Sequence, residues 1–247
     1  MTAMTTITPT AGAKMMYLIK RRADASREEL VVHWFANHMP IVIAGQAAQA
    51  ERGKLHASRY IATLFDADAS GNHPWDGVAQ IWWPQPLPAP KVPFGVVPTD
   101  TFQQKAEPYV PWATTEYVVI DPSSALSIEP LTLNEPFPTT RSGFLKITFL
   151  VQAKADTDFD AFFRHWLDVH APNVRAVMES IGGFGYVVSH SQQPQQEPYA
   201  GMAELYFEDL ASWQRFSEAI RPDGMEQWLS DDGLVVLHAH TEMIGIA

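Results

Sequence analysis

The chain contains no cysteine. That excludes a disulfide framework, a thiolate metal site and a cysteine nucleophile. No apolar run approaches the ~20 residues a helix needs to cross a bilayer, so no membrane partner is expected. Basic residues are scarce: 17 Lys and Arg stand against 28 Asp and Glu, a formal net charge of −11. Non-specific nucleic-acid binding depends on a basic surface, so nucleic acid is excluded as a partner class. There is no glycine-rich phosphate loop, no Gly-x-Ser-x-Gly elbow and no dinucleotide fingerprint. Gly182-Gly183-Phe184-Gly185 opens a strand and reads as a turn. Nothing therefore implies a nucleotide, a flavin or a nicotinamide. Residues 1–13 are small and Thr-rich, without the apolar centre of a secretory signal, and are expected to form a disordered tail. A cytoplasmic location is the expectation.

What remains is a globular composition, 46% hydrophobic and 18% charged over 247 residues, enough for a substantial core. One segment is written twice. His33-Trp34-Phe35-Ala36-Asn37-His38-Met39-Pro40 returns as His165-Trp166-Leu167-Asp168-Val169-His170-Ala171-Pro172. Pro74 to Gln80 likewise matches Pro198 to Glu204, and Thr115-Glu116 matches Thr241-Glu242. Matches in the same order in both halves mark an internal duplication. The halves differ in charge: residues 14–121 hold 10 basic and 11 acidic residues, residues 142–247 hold 6 and 15.

Patterning predicts the same element order in each half. Lys14–Lys20 reads as a buried strand, and Ser26 with Glu29 forms a capping box opening a helix to Ala50, kinked at Pro40. Strands follow at Arg59–Phe65 and Gly77–Trp83. Residues 84–98 carry six prolines and read as an extended loop. A short helix at Asp100–Glu107 and a strand at Thr114–Asp121 complete the first unit. Residues 122–142 form the linker. The second half repeats the order: strand Phe144–Gln152, helix Asp158–Ser180, strands Gly185–Ser191 and Gly201–Phe207, helix Leu210–Arg221 and a last strand within Leu234–Ile246. This β-α-β-β-α-β order is the ferredoxin-like unit, here at 14–121 and 143–247.

At 100° per residue, Leu30, Trp34, His38, Ile41 and Val42 share one helix stripe, as do Phe162, Trp166, His170 and Val174 in the second half. His38 and His170 thus lie on the apolar face, and His33 and His165 at its edge. The i,i+5 spacing is poor for chelation, so no metal site is assigned. An imidazole on an apolar face is either a satisfied structural group or an acid–base group in a pocket, because its pKa lies near neutrality. Trp34 and Trp166 read as core anchors. Tyr17, Tyr60, Tyr186 and Tyr206 sit on strands and are candidates, with both tryptophans, His33 and His165, to line a cavity. Glu204 lies between apolar neighbours, either as a base or as a satisfied acid between the halves.

In this setting the motif resembles the EthD-type proteins of the dimeric α/β-barrel superfamily. The residues that carry the resemblance are Ser26, Glu29, His33, Trp34, His38, Pro40, Asp76, Gly77, Ala79 and Glu116 in the first half. In the second they are Asp158, His165, Trp166, His170, Pro172, Gly201, Ala203, Glu204 and Glu242. Gln80 replaces an acid in the first half, and Ala200 replaces the Asp before Gly201 in the second. The resemblance implies an α+β fold of two tandem ferredoxin-like repeats, their antiparallel sheets packed as an intramolecular pseudo-dimeric α/β barrel. Further homo-oligomerisation is left open. It implies a small apolar pocket in each half and chemistry without an organic cofactor on an aromatic, polyketide-like or xenobiotic compound. The leading expectation is a lyase or isomerase in which His170 or His38, with Glu204 as a further candidate, moves a proton. The alternatives are an anthrone-type monooxygenase and a non-catalytic small-molecule binder. Haem binding also occurs in the wider superfamily.

Overall fold

A computed structural model describes residues 7–67, 74–127 and 136–247. His73 and the middle of the expected linker lie outside the described residues. The first repeat runs β1 (Ala13–Ile19), α1 (Arg27–His33), a π turn (Trp34–His38), α2 (Met39–Glu51), β2 (Arg59–Phe65), β3 (Gly77–Trp83), α3 (Thr101–Lys105) and β4 (Trp112–Ile120). A short β5 (Thr139–Arg141) precedes the second repeat. That repeat runs β6 (Leu145–Ala153), α4 (Phe159–His165), a second π turn (Trp166–His170), α5 (Ala171–Ile181), β7 (Gly185–Ser191), β8 (Gly201–Phe207), α6 (Leu210–Ala219), a 3₁₀ turn (Met225–Trp228) and β9 (Leu229–Ile246). The class is α+β, and the ferredoxin-like order holds in both halves. Among the described residues no helix is long and apolar enough to cross a membrane.

The helices start where the caps dictate. Ser26 Oγ accepts the Glu29 N–H at 3.1 Å, and Glu29 Oε2 in turn accepts the Ser26 N–H at 2.8 Å. Asp158 accepts the Ala161 N–H at 3.1 Å. The kink expected at Pro40 is instead a π turn, and Pro172 has the same effect. Proline supplies no N–H and its ring crowds the carbonyl four residues back. Widening one turn relieves this, so that Met39 N–H reaches Trp34 O and Ala171 N–H reaches Trp166 O. The extra residue in the turn also shifts the faces. Ile41, placed on the buried stripe by a uniform 100° step, is 60% exposed.

The chain forms two compact units that do not coincide with the sequential repeats. One comprises residues 12–113, 127–143 and 239–247, the other residues 1–11, 114–126 and 144–238. The last strand of each repeat therefore packs in the other unit. In the first unit β1, β3, β2 and the end of β9 pair antiparallel in that order, with β5 beside β9. In the second, β4, β7, β8 and β6 pair antiparallel in that order. The segment expected to be a loose tail is held at its described end, because the Thr10 N–H bonds Glu116 O at 2.8 Å.

Each sheet carries its motif helix on a tryptophan. Trp34 packs with Leu30, Tyr60 and Phe102, and Trp166 with Phe162, Tyr186 and Phe207. Both indoles rest where a glycine opens β3 or β8. A Cβ on Gly77 would lie 2.6 Å from Thr63 O and 2.9 Å from the Trp34 ring; one on Gly201 would lie 2.8 Å from Ser189 O and 2.9 Å from the Trp166 ring. The matched glycines of the repeat thus have a steric cause.

Candidate functional site: paired histidine–aspartate pockets

The π turn places Trp and His of the motif on the wall of a cavity in each unit. In the first unit it measures about 330 Å³ and is lined by Tyr17, Trp34, His38, Tyr60, Phe102 and Tyr109 among others. In the second it measures about 310 Å³, with Trp166, His170, Tyr186, Leu205, Trp213 and Phe216 among its lining residues. Both volumes suit a small organic molecule.

The two imidazoles are held alike. His38 Nδ1 lies 2.7 Å from Asp100 Oδ2, and His170 Nδ1 lies 2.9 Å from Asp223 Oδ2. The other oxygen of each carboxylate binds backbone: Asp100 Oδ1 accepts the Gln103 N–H at 2.8 Å, and Asp223 Oδ1 accepts the Met225 N–H at 3.2 Å. Asp100 thus caps α3, Asp223 bonds the first N–H of the 3₁₀ turn, and each orients a histidine at the same time. Burial works against the Asp100 charge, but the bonds from His38 and from the Gln103 backbone outweigh it and hold the carboxyl below its usual range. Asp223 is held low against the same penalty by Asn173, whose Nδ2 donates at 2.7 Å, and by His170.

The chemistry follows from this. An ionised carboxylate only accepts, so Nδ1 carries the proton in each pair. The remaining ring nitrogen, Nε2, then presents a lone pair when the ring is neutral. Neither Nε2 has a hydrogen-bond partner among the described residues, and the side chains keep 17% and 25% exposure on His38 and His170. This is a tautomer-fixed imidazole on the wall of an apolar cavity, fit to take up and return one proton.

Residues 154–233 match the EthD domain model. The match lies within the second repeat. Its matched span contains the motif, Glu204 and Asp223. No curated protein matches the sequence. In structure the chain is similar to an anthrone oxidase-like protein, 8% identical, covering 96% of this chain and 94% of that one at a TM-score of 0.57. It is also similar to a single-residue variant of the chlorite dismutase from Candidatus Nitrospira defluvii, 9% identical over 93% and 92% with a TM-score of 0.43. At such identities the likeness is one of fold, and the fold is that of the dimeric α/β-barrel proteins.

Trp166, His170 and Tyr186 line one cavity in the second repeat, and Trp34, His38, Tyr17 and Tyr60 line the other in the first. His33, His165, Glu204 and Tyr206 line neither of these cavities. His33 Nδ1 pairs with Asn37 at 3.0 Å, and His165 Nε2 stands 3.9 Å from Asp223 Oδ1. Glu204 is buried against Lys146 at 2.5 Å, the lysine lying over the Tyr206 ring at 5.1 Å. That places Glu204 in an ion pair, away from both imidazoles. Asp100, Asp223 and Asn173 were not singled out from the sequence. Two signals pointed to them: Asp100 opens a helix, and Asp223 precedes Gly224, which starts the 3₁₀ turn in a left-handed conformation with φ +94°.

Among the described residues no group of three His, Asp or Glu side chains gathers as a metal site. A haem would bring two carboxylates that need cationic partners. No Lys or Arg is among the described lining of either cavity, so these residues do not fit that group.

Proposed function

We propose that the protein is an enzyme needing no organic cofactor, in which a motif histidine removes a proton from a small, largely apolar, oxygenated substrate. His170 of the EthD domain is the leading base, and His38 has the same role in the first repeat. Asp223 and Asp100 fix the tautomer and favour the imidazolium that forms. The proton leaves a carbon next to a carbonyl or phenol and an anion remains. Returned to another carbon of the same anion, the proton completes an isomerisation. Given to the alkoxide that forms when the carbanion attacks a second carbonyl, it completes a cyclisation. In the decarboxylase variant of this lyase chemistry, the imidazolium protonates the carbon from which CO₂ leaves. The single observation that carries this reading is the Nδ1–carboxylate bond made twice, with each ring on a cavity wall. Aromatic side chains would hold the substrate ring and exclude water.

Deuterium incorporation into β-tetralone, an apolar ketone with an acidic C–H, tests it. The full-length protein is expected to accelerate exchange in D₂O, and His170→Ala to lower the rate by about 10²–10⁴-fold. Exchange unchanged in both His170→Ala and His38→Ala would overturn the assignment. A second reading shares the first step and is prompted by the fold likeness to the anthrone oxidase-like protein. Loss of a proton from anthrone gives an anion that reacts with one O₂ to form anthraquinone and one water. Oxygen uptake equal to the anthrone consumed, with no added cofactor, would select this reading.

A further inference from the structure

The family match falls on the second repeat, yet the first repeat holds a cavity of similar size whose walls differ in chemistry. Tyr17 packs its ring against Phe94 and Tyr109, with centroids 6.3 and 6.2 Å away, while its hydroxyl has no hydrogen-bond partner among the described residues. Burial pushes this phenol up to about 12, so it stays a proton donor at neutral pH. Two amides have their oxygens already taken, which leaves the Gln46 NH₂ to the cavity and turns the Gln103 NH₂ to the Tyr109 phenol. Gln46 Oε1 accepts the Ala57 N–H at 2.8 Å, and Gln103 Oε1 accepts the Thr99 N–H at 2.8 Å and its hydroxyl at 3.1 Å. The Gln103 amide stands beside the Tyr109 phenol, leaving that O–H to point elsewhere as a donor.

The cavity of the second repeat offers little of this. Ser217 donates away, to Gln214 O at 2.8 Å. Trp166 Nε1 and Tyr186 Oη are sealed inside the wall. The helix α6 supplies Trp213 and Phe216 there, where the first repeat has the proline segment with Leu87 and Phe94.

From these donors around one imidazole acceptor we infer that the first-repeat cavity is a separate ligand site for an aromatic ring carrying two or more oxygens, a hydroxyquinone or polyphenol. The second-repeat cavity takes the less oxygenated, apolar ring. A donor left unpaired in a buried wall discriminates strongly against a ligand lacking the matching acceptor. The inference concerns binding and stands apart from any proton transfer.

Calorimetric titration of the full-length protein with hydroxynaphthoquinone and with naphthalene tests it. The double variant Tyr17→Phe/Tyr109→Phe keeps both rings and is expected to weaken hydroxynaphthoquinone about tenfold or more while leaving naphthalene unchanged. Trp213→Ala is expected to weaken naphthalene and spare hydroxynaphthoquinone. A circular-dichroism melt confirms that each variant is folded; the single variants Tyr17→Phe and Tyr109→Phe replace the double one if it is not. Hydroxynaphthoquinone affinity within twofold of wild type in the folded Phe variants, its loss in Trp213→Ala, or no binding of it by the wild-type protein would each overturn the inference. A failed β-tetralone exchange leaves these titrations untouched, so the two readings fail separately.

Discussion

The two repeats use the same eight-residue segment for the same device and surround it with different walls. In both, a proline widens the helix into a π turn that sets Trp and His on a cavity, and an aspartate accepts a backbone N–H of the turn before the last strand while gripping Nδ1. Around that fixed centre one repeat places phenols, amides and a proline segment; the other places a helix of aromatic and aliphatic residues. The acid–base geometry depends on a few bonds close to the backbone. Substrate choice depends on side chains that can change without disturbing them.

The largest expected effect falls on the shared part. Asp223→Asn should lower any His170-dependent rate by about 10²–10³-fold. Removing the charge beside Nδ1 withdraws stabilisation from the imidazolium formed in the transition state, so the loss should fall on kcat with KM little changed. A loss of rate that tracks a lowered melting temperature would mean that Asp223 matters to the fold and not to the imidazole. Asp100→Asn should act likewise on the first cavity and leave the second unaffected; crossed effects would break the comparison.

Much of this architecture was legible in the sequence, and the illegible parts share a cause. Strands β2, β3, β7 and β8 fall where periodicity and flanking turns put them, because each is a short apolar run bounded by Gly, Pro or Asp. The motif histidines could be put on an apolar face from spacing alone. Their partners could not, since Asp100 and Asp223 reach them from 62 and 53 residues away. The π turn was missed because a uniform 100° step assumes a regular helix, and that error put Ile41 on the wrong side. The crossing of β4 and the end of β9 into the opposite units was equally hidden. Strand pairing is decided by the sheet, and a strand's own residues carry no label for its partner.

Two paired substitutions sharpen the comparison through stability. Gly77→Ala and Gly201→Ala should each cost about 2–3 kcal/mol, since the new methyl meets a carbonyl and an indole that cannot both retreat. Equal losses support the same glycine role in both units; an unaffected melt in either would show that its tryptophan can move. The tyrosines below the indoles should behave unequally. Trp34 Nε1 donates to Tyr60 Oη at 3.0 Å, whereas Trp166 Nε1 and Tyr186 Oη lie together in a poorer geometry. Tyr60→Phe leaves a buried N–H unpaired and should cost about 1–2 kcal/mol. Tyr186→Phe removes a hydroxyl held only by that poorer contact and should cost less, within about 0.5 kcal/mol of neutral. Equal costs from urea titration would remove that distinction.

The smallest effect at neutral pH comes from His190, which lies opposite Gly201 where the first repeat has Leu64 opposite Gly77. Its ring stacks on Phe163 at 4.2 Å and packs near Trp166 and Tyr117 at 4.9 and 5.1 Å. Burial among these rings pushes its pKa down to about 3. The unfolded chain binds a proton at this residue near pH 6.5 and the folded chain does not, so between those values stability rises with pH and is lost as pH falls. The slope is about 1.4 kcal/mol per pH unit once the unfolded histidine is fully protonated. His190→Leu copies the first repeat and removes this linkage. It should change stability little at pH 7.5 and protect the protein by about 1 kcal/mol at pH 5.5. If wild type and variant lose stability in parallel from pH 7 to pH 5, the imidazole is already solvated in the native state and the aromatic stack does not seal it.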